Sequence, residues 1–307
     1  MKTISLIALI CCFSLVFDVN GQGIYPPRIE GSEKVAYKTV GDIQLNLWIF
    51  KPENHKVTDT APAIVFFFGG GWSSGSPSQF VKHCEYLASR GMVAIVADYR
   101  VKSRHNVRVN ECVSDAKSAI RWVRENASKL GVDGNRIAAS GGSAGGHLAA
   151  ACAILPKFDE ENEDKSVSSK PNALVLFNPA LILASVDNAE WNKTFSDMSA
   201  SNRLEERFGT KPENISPYHN LVGKLPPTII FHGTADKTVP FETVELFTKK
   251  MIELGNKCTL VPYKGASHGF FNDKSSSFYA DTFNKMDEFL VSLGYLKAAP
   301  EKVIFKN

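Results

Sequence analysis

The stretch Ser140-Gly141-Gly142-Ser143-Ala144-Gly145-Gly146 decides how this chain is read. It carries the pattern G-x-S-x-G between a short apolar run that reads as a strand, 136–139, and a small-residue run that reads as a helix, 145–154. A serine on a tight turn from strand to helix sits at unusual backbone angles. It therefore needs small residues two positions away on each side, and Gly141 and Gly145 supply them. The helix start behind it leaves N–H groups free for developing negative charge. In this context Ser143 is a candidate nucleophile. The bland alternative is a glycine-rich turn that only packs a helix on a strand.

Outward from that turn, apolar runs alternate with helical patterns. Residues 43–50 alternate as a half-buried strand, and 63–68 form a continuous apolar run ending in three glycines. A helical pattern at 79–90 stops at Gly91, and 92–97 reads as a buried strand. The longest predicted helix is 109–130, with Val109, Val113, Ala116, Ile120 and Val123 on one face and Gly131 at its end. Strands follow at 173–177, 228–231 and 257–262, and helices at 241–254 and 280–293. His83 is expected on a helix surface, and the polar segment 159–170 as a surface loop. The alternation predicts an α/β fold, a mostly parallel sheet with helices on both faces. Ligands then bind at the carboxyl ends of strands.

Chemically able residues cluster just after those strands. A serine needs a base, and the base needs an acid to orient it, in the chain order serine, acid, histidine. Asp236 follows the strand 228–231, and His268 follows the strand 257–262. Asp273 is the competing acid, but it comes after the base. The oxyanion requires N–H donors: Ala144, next to the nucleophile, and the glycine run Gly69-Gly70-Gly71 after Phe68. His147 and His232 read as packed, hydrogen-bonded residues. Trp72, Arg104 and His105 are candidate substrate contacts, against the alternatives of a core tryptophan and a solvated basic loop. Residues 180–217, with Trp191, Phe195 and Met198, form a long insertion that fits either a small cap or an ordinary crossover.

Gly69-Gly70-Gly71-Trp72, Asp98-Tyr99-Arg100, the Ser143 motif and Gly233-Thr234-Ala235-Asp236 occur in that order. Together they resemble the acetyl-esterase/lipase group of the α/β-hydrolase superfamily, akin to hormone-sensitive-lipase-like esterases. The chain is also similar to bacterial esterases that remove acetyl or feruloyl groups from plant polysaccharides. The resemblance covers about residues 40–296 and implies an α/β-hydrolase fold. It also implies a serine carboxylesterase for short-chain esters, with Ser143, Asp236 and His268 as triad and Gly70, Gly71 and Ala144 as oxyanion donors. No metal or cofactor is implied. Two departures stand out. Phe68 occupies the place of a loop-orienting histidine, and Val101-Lys102-Ser103-Arg104-His105 replaces the segment usual in lipase-like members. The rival readings are a lipase or peptidase on the same fold and a hydrolase-fold binding protein. A small-molecule or carbohydrate ester is the expected partner.

The bulk composition agrees. With 307 residues, 44% hydrophobic, the chain can bury one large core. Its 35 basic and 32 acidic residues are interspersed, with no basic run to follow nucleic acid. Lys2, the uncharged apolar run 4–17, and Val19 and Gly21 ahead of Gln22 read as a secretory signal peptide, 1–21, followed by one catalytic domain, 22–307. That run is too short for a confident membrane span. Secreted or periplasmic localisation follows, with a lipid anchor on Cys11 or Cys12 ranked second. The remaining Cys84, Cys112, Cys152 and Cys258 allow three pairings, although Cys112 and Cys152 also read as small buried thiols. Asn126 and Asn192 begin glycosylation sequons.

Overall fold

Three apolar runs lie at the centre of the sheet because they can be buried on both faces: β3 (Ala61–Phe67), β4 (Val93–Ala97) and β6 (Ala173–Phe177) have every residue buried. The computed structural model describes residues 25–186 and 203–299. The other strands are β1 (Glu33–Val40), β2 (Ile43–Phe50), β5 (Val132–Gly142), β7 (Thr228–Gly233) and β8 (Cys258–Tyr263). Among the described residues these eight strands make one sheet in the order β1-β2-β4-β3-β5-β6-β7-β8. β1–β2 and β2–β4 pair antiparallel, and every other neighbour is parallel. The mostly parallel sheet is the one the alternating pattern predicts, and the molecule has the α/β-hydrolase fold that the family resemblance implies.

Helices cover both faces. Val109–Glu125, Ala144–Ile154 and Phe241–Glu253 pack on one side through Ala116, Ile120, Ala149, Val244 and Phe247. Val81–Ser89 and Ser277–Ser292 pack on the other through Leu87, Phe283 and Met286. The central helix Ala144–Ile154 buries all of its residues. Among the described residues, no helix is long and apolar enough to cross a membrane.

Several boundaries differ from the sequence reading. The helix expected over 109–130 breaks at Asn126, whose side-chain amide donates to the Trp122 carbonyl at 2.9 Å. A separate turn, Ala127–Leu130, then ends on left-handed Gly131. Asparagine competes in this way with the helical ladder. The pattern at 79–90 begins with a 3-10 turn, Pro77–Phe80, before its helix proper. β1 was not predicted. It is an edge strand carrying Lys34 and Lys38, with little apolar signal. His83 is not on a surface. It is 2% exposed, stacks on Phe283 at 4.3 Å, and neither ring nitrogen has a hydrogen-bond partner among the described residues. The polar segment 159–170 is a surface loop as expected, anchored through a Lys117–Asp159 ion pair of 2.7 Å. Cys84, Cys112, Cys152 and Cys258 are all free thiols, the first three buried.

Within 180–217, the described part forms two short helices, Arg203–Phe208 and Pro212–Ile215. Trp191, Phe195, Met198 and the Asn192 sequon lie outside the described residues, as does the whole of the predicted signal segment 1–21 with its boundary before Gln22.

Candidate active site

Ser143 lies between β5 and the central helix, capping the helix at φ 55°, ψ −117°, the strained turn its motif predicts. The glycines around it answer to specific contacts. A Cβ on Gly145 would lie 2.0 Å from the Phe67 carbonyl oxygen, and one on Gly141 would lie 2.4 Å from the Gly145 carbonyl. The turn can therefore form only where backbone meets backbone with no side chain between.

The parallel strands carry Asp236 and His268 to the same edge. His268 Nε2 lies 3.0 Å from Ser143 Oγ, and His268 Nδ1 lies 2.7 Å from Asp236 Oδ2. A carboxylate only accepts, so Nδ1 carries the proton and Nε2 presents a lone pair to the serine hydroxyl. Asp236 Oδ1 accepts from the amides of Thr238 and Val239, both at 2.9 Å. Its Oδ2 also accepts from Asn178 Nδ2 at 3.0 Å, with His232 Nε2 at 3.3 Å. Burial alone would raise this carboxyl, but donation from His232, His268 and the Val239 amide outweighs it and holds Asp236 well below the usual carboxylate range. Asp273 turns away to Ser275.

The oxyanion loop is differentiated glycine by glycine. The Gly69 amide donates to Gln79 Oε1 at 2.7 Å, which removes it as a donor to substrate. The Gly70 and Gly71 amides meet no acceptor among the described residues. Their φ values of 121° and 60° turn the chain sharply, with Ser73 and Ser74 both donating to the Gly70 carbonyl. A Cβ on Gly69 would stand 3.5 Å from Ser143 Cβ, so the loop runs directly over Ser143. Ala144 opens the helix beside it, where first-turn amides lack an intrahelical acceptor. Phe68 orients the loop by packing: its ring stacks on Tyr99 at 4.1 Å, and its carbonyl accepts from Tyr99 Oη at 2.8 Å.

The three candidate substrate contacts are placed differently. Trp72 is 8% exposed and donates from Nε1 to His147 Nδ1 at 3.2 Å, which makes it part of the wall. Arg104 Nη1 donates to the Gly75 carbonyl at 3.0 Å, with its guanidinium 3.8 Å from the Tyr25 ring. His105 Nδ1 accepts from the Val101 amide at 3.0 Å. The structure brings neither Arg104 nor His105 into contact with the triad. His147 is packed as expected, with Nε2 2.9 Å from the Ile215 carbonyl, and burial pushes its imidazole down to about 4.

His232 is packed and hydrogen-bonded as expected, buried with Nε2 2.9 Å from the Val239 carbonyl. Three residues at the site escape sequence reasoning. Gln79 sits in a helical pattern and Asn178 in an Asn-Pro turn. Arg207 comes from the insertion: its Nη2 donates to the Gly71 carbonyl at 3.1 Å, and its guanidinium lies 5.5 Å from the Trp72 ring. The insertion thus reaches the oxyanion loop.

A family model described as BD-FAE matches residues 47–251, two thirds of the chain and all of the sheet from β3 to β7. The chain belongs to the BD-FAE family. A second model, the dienelactone hydrolase family, matches residues 208–303, the part that bears Asp236 and His268. This BD-FAE member is 28% identical to the esterase LipC of Mycobacterium tuberculosis over 228 residues, 69% of this chain and 54% of LipC. It spans about half the length of the curated relatives it matches first. Among solved structures it is similar to Thermogutta terrifontis esterase 2 phosphoramylated by tabun, at 53% identity and TM-score 0.83, covering 90% of this chain and 100% of that one. The butyrate-bound form of the same esterase aligns at 54% identity and TM-score 0.85, covering 90% and 99%.

Proposed function

We propose that this protein is a serine carboxylesterase that cleaves short-chain acyl esters through an acyl-enzyme. The observation that carries the reading is one relay, Ser143 Oγ to His268 Nε2 at 3.0 Å and His268 Nδ1 to Asp236 at 2.7 Å, beneath two glycine amides with no acceptor among the described residues. Ser143 Oγ attacks the ester carbonyl while His268 Nε2 takes its proton. The carbonyl oxygen becomes an oxyanion between the amides of Gly70, Gly71 and Ala144. Collapse breaks the bond to the alcohol oxygen, which leaves with the proton from His268. Water then attacks the acyl-serine, again giving its proton to His268, and the carboxylic acid departs with Ser143 restored. Asp236 keeps the imidazole in the Nδ1–H form and balances its charge in each transition state.

The similar Thermogutta esterase supports this reading, since its structures bear organophosphorus groups or hold propionate and butyrate. Those acids point to an acyl group of a few carbons. The alcohol side is read from the resemblance to polysaccharide esterases, as an acetylated or feruloylated carbohydrate. Export, with cleavage before Gln22, belongs to the same reading and is tested by N-terminal sequencing of the mature protein. The enzymatic test is a panel of 4-nitrophenyl esters of rising chain length, run beside acetylated xylan and a feruloyl ester. Turnover should peak at short acyl chains and fall by at least about 10³-fold in Ser143→Ala, which retains the fold. An unreduced rate in that variant overturns the assignment.

A further inference from the structure

Asn178 follows β6 with a left-handed backbone, φ 43°, and is fully buried. Its carboxamide spans the two halves of the relay. Nδ2 lies 3.0 Å from Asp236 Oδ2, the oxygen that also receives His268, and Oδ1 lies 3.3 Å from the amide of Gly269, the residue after His268. The partners fix this orientation, because a carboxylate only accepts and a backbone N–H only donates. The backbone is tied down too: the Asn178 amide donates to the Phe231 carbonyl at 2.9 Å, and the preceding Phe177 carbonyl accepts from the Ser143 amide at 2.9 Å. One planar group thus touches the acid loop and the base loop, from a backbone joined to the nucleophile's own strand.

We propose that Asn178 is a positioning residue of the triad, a carboxamide bridge that sets the spacing of Asp236 and His268 and draws negative charge away from the oxygen facing the imidazole. This rests on the esterase reading above but concerns a residue that does not touch substrate. The left-handed backbone explains the residue type. Asparagine, aspartate and glycine tolerate it, and of these only asparagine both donates to a carboxylate and accepts from an amide. The groups facing the pair are few. From the end of β7, His232 approaches Asp236 at 3.3 Å; from the elbow, the Ser143 hydroxyl faces His268; the Thr238 and Val239 amides are neutral donors. Among the described residues, the elements around the pair, including the turn Phe270–Asn272, place no other charged side chain in ion-pair contact with it.

Removing the bridge leaves more negative charge on Asp236 Oδ2, which favours the imidazolium, so His268 should titrate at higher pH. Asn178→Gly deletes the carboxamide without backbone strain. Asn178→Asp keeps an acceptor for Gly269 but sets a second carboxylate beside the first. The test follows the His268 ring by NMR across pH in the resting enzyme and measures kcat and KM for 4-nitrophenyl butyrate. In Asn178→Gly the His268 midpoint should rise by about half a pH unit or more, with kcat down about tenfold and KM within about twofold. In Asn178→Asp the midpoint should rise further. If both variants fold and His268 titrates as in the parent, or if kcat falls only in step with thermal stability while the midpoint stays put, the proposal is overturned. A parent enzyme inert toward every ester would defeat the esterase reading instead, and the resting-state titration would still decide the role of Asn178.

Discussion

Each residue of the relay is placed by a contact that a single substitution can remove. Gln79 Oε1 holds the Gly69 amide at 2.7 Å, and its Nε2 reaches Asn272 on the histidine loop at 3.5 Å. Gln79→Ala leaves the Gly69 amide unpaired and frees the loop that carries Gly70 and Gly71. We expect kcat to fall about 10- to 100-fold with little change in KM, because the oxyanion donors act mainly in the transition state. Steady-state kinetics on a short 4-nitrophenyl ester checks this, and a rise in KM at unchanged kcat would place Gln79 in ground-state binding instead. The candidate nucleophile, acid and base, which the structure brings within hydrogen-bond reach of one another, are legible in the sequence because each is a chemically distinctive residue fixed just after a strand. Gln79 and Asn178 are not, because a polar side chain in a helical pattern or a turn carries no sign of its partner, whether Gly69, 10 residues from Gln79, or Asp236 and Gly269, 58 and 91 residues from Asn178.

At the scale of elements, the strand–turn–helix at Ser143 tolerates almost nothing. Gly145→Ala would drive a Cβ to 2.0 Å from the Phe67 carbonyl oxygen, a backbone atom of the neighbouring strand that cannot swing aside. We expect loss of soluble folded protein, or a variant several kcal/mol less stable that does not turn over esters. Wild-type expression and denaturation midpoint in Gly145→Ala would contradict the close approach. The insertion offers a milder case. Arg207 links the helix Arg203–Phe208 to the Gly71 carbonyl. Arg207→Ala should lower kcat severalfold at near-constant stability, since an exposed guanidinium contributes little to folding. The same scale shows why sequence reading erred where it did. Central strands announce themselves by continuous burial, whereas β1 is an edge with lysines on it. His83 shares the inward spacing of Cys84, Leu87 and Ala88, and only its polarity suggested the surface.

Across the whole molecule, burial sets the response to acid. Burial pushes His83 down to about 3 and His147 to about 4, both below the ordinary histidine value of about 6.5. Between those values the unfolded chain binds protons that the folded chain refuses. Stability is therefore fully present above about pH 6.5 and falls by about 1.4 kcal/mol per pH unit per histidine as pH drops toward 4. Asp236, held low in the fold, adds a loss of the same sign further down, as pH falls below the usual carboxylate range. Denaturant titrations at pH 7 and pH 4.5 should show the decline, and His83→Leu should flatten it. That variant should cost little at pH 7, because both ring nitrogens of His83 lack hydrogen-bond partners among the described residues. A decline of equal slope in His83→Leu would refute the link.

The most direct test of Ser143 as a nucleophile activated by His268 is intact-mass and peptide mass spectrometry after treatment with paraoxon, which phosphorylates the similar Thermogutta esterase. We expect one diethylphosphoryl group per chain, located on Ser143, formed as the serine oxygen displaces 4-nitrophenolate and His268 accepts the proton. An unmodified chain, or an adduct on any other residue, would contradict it.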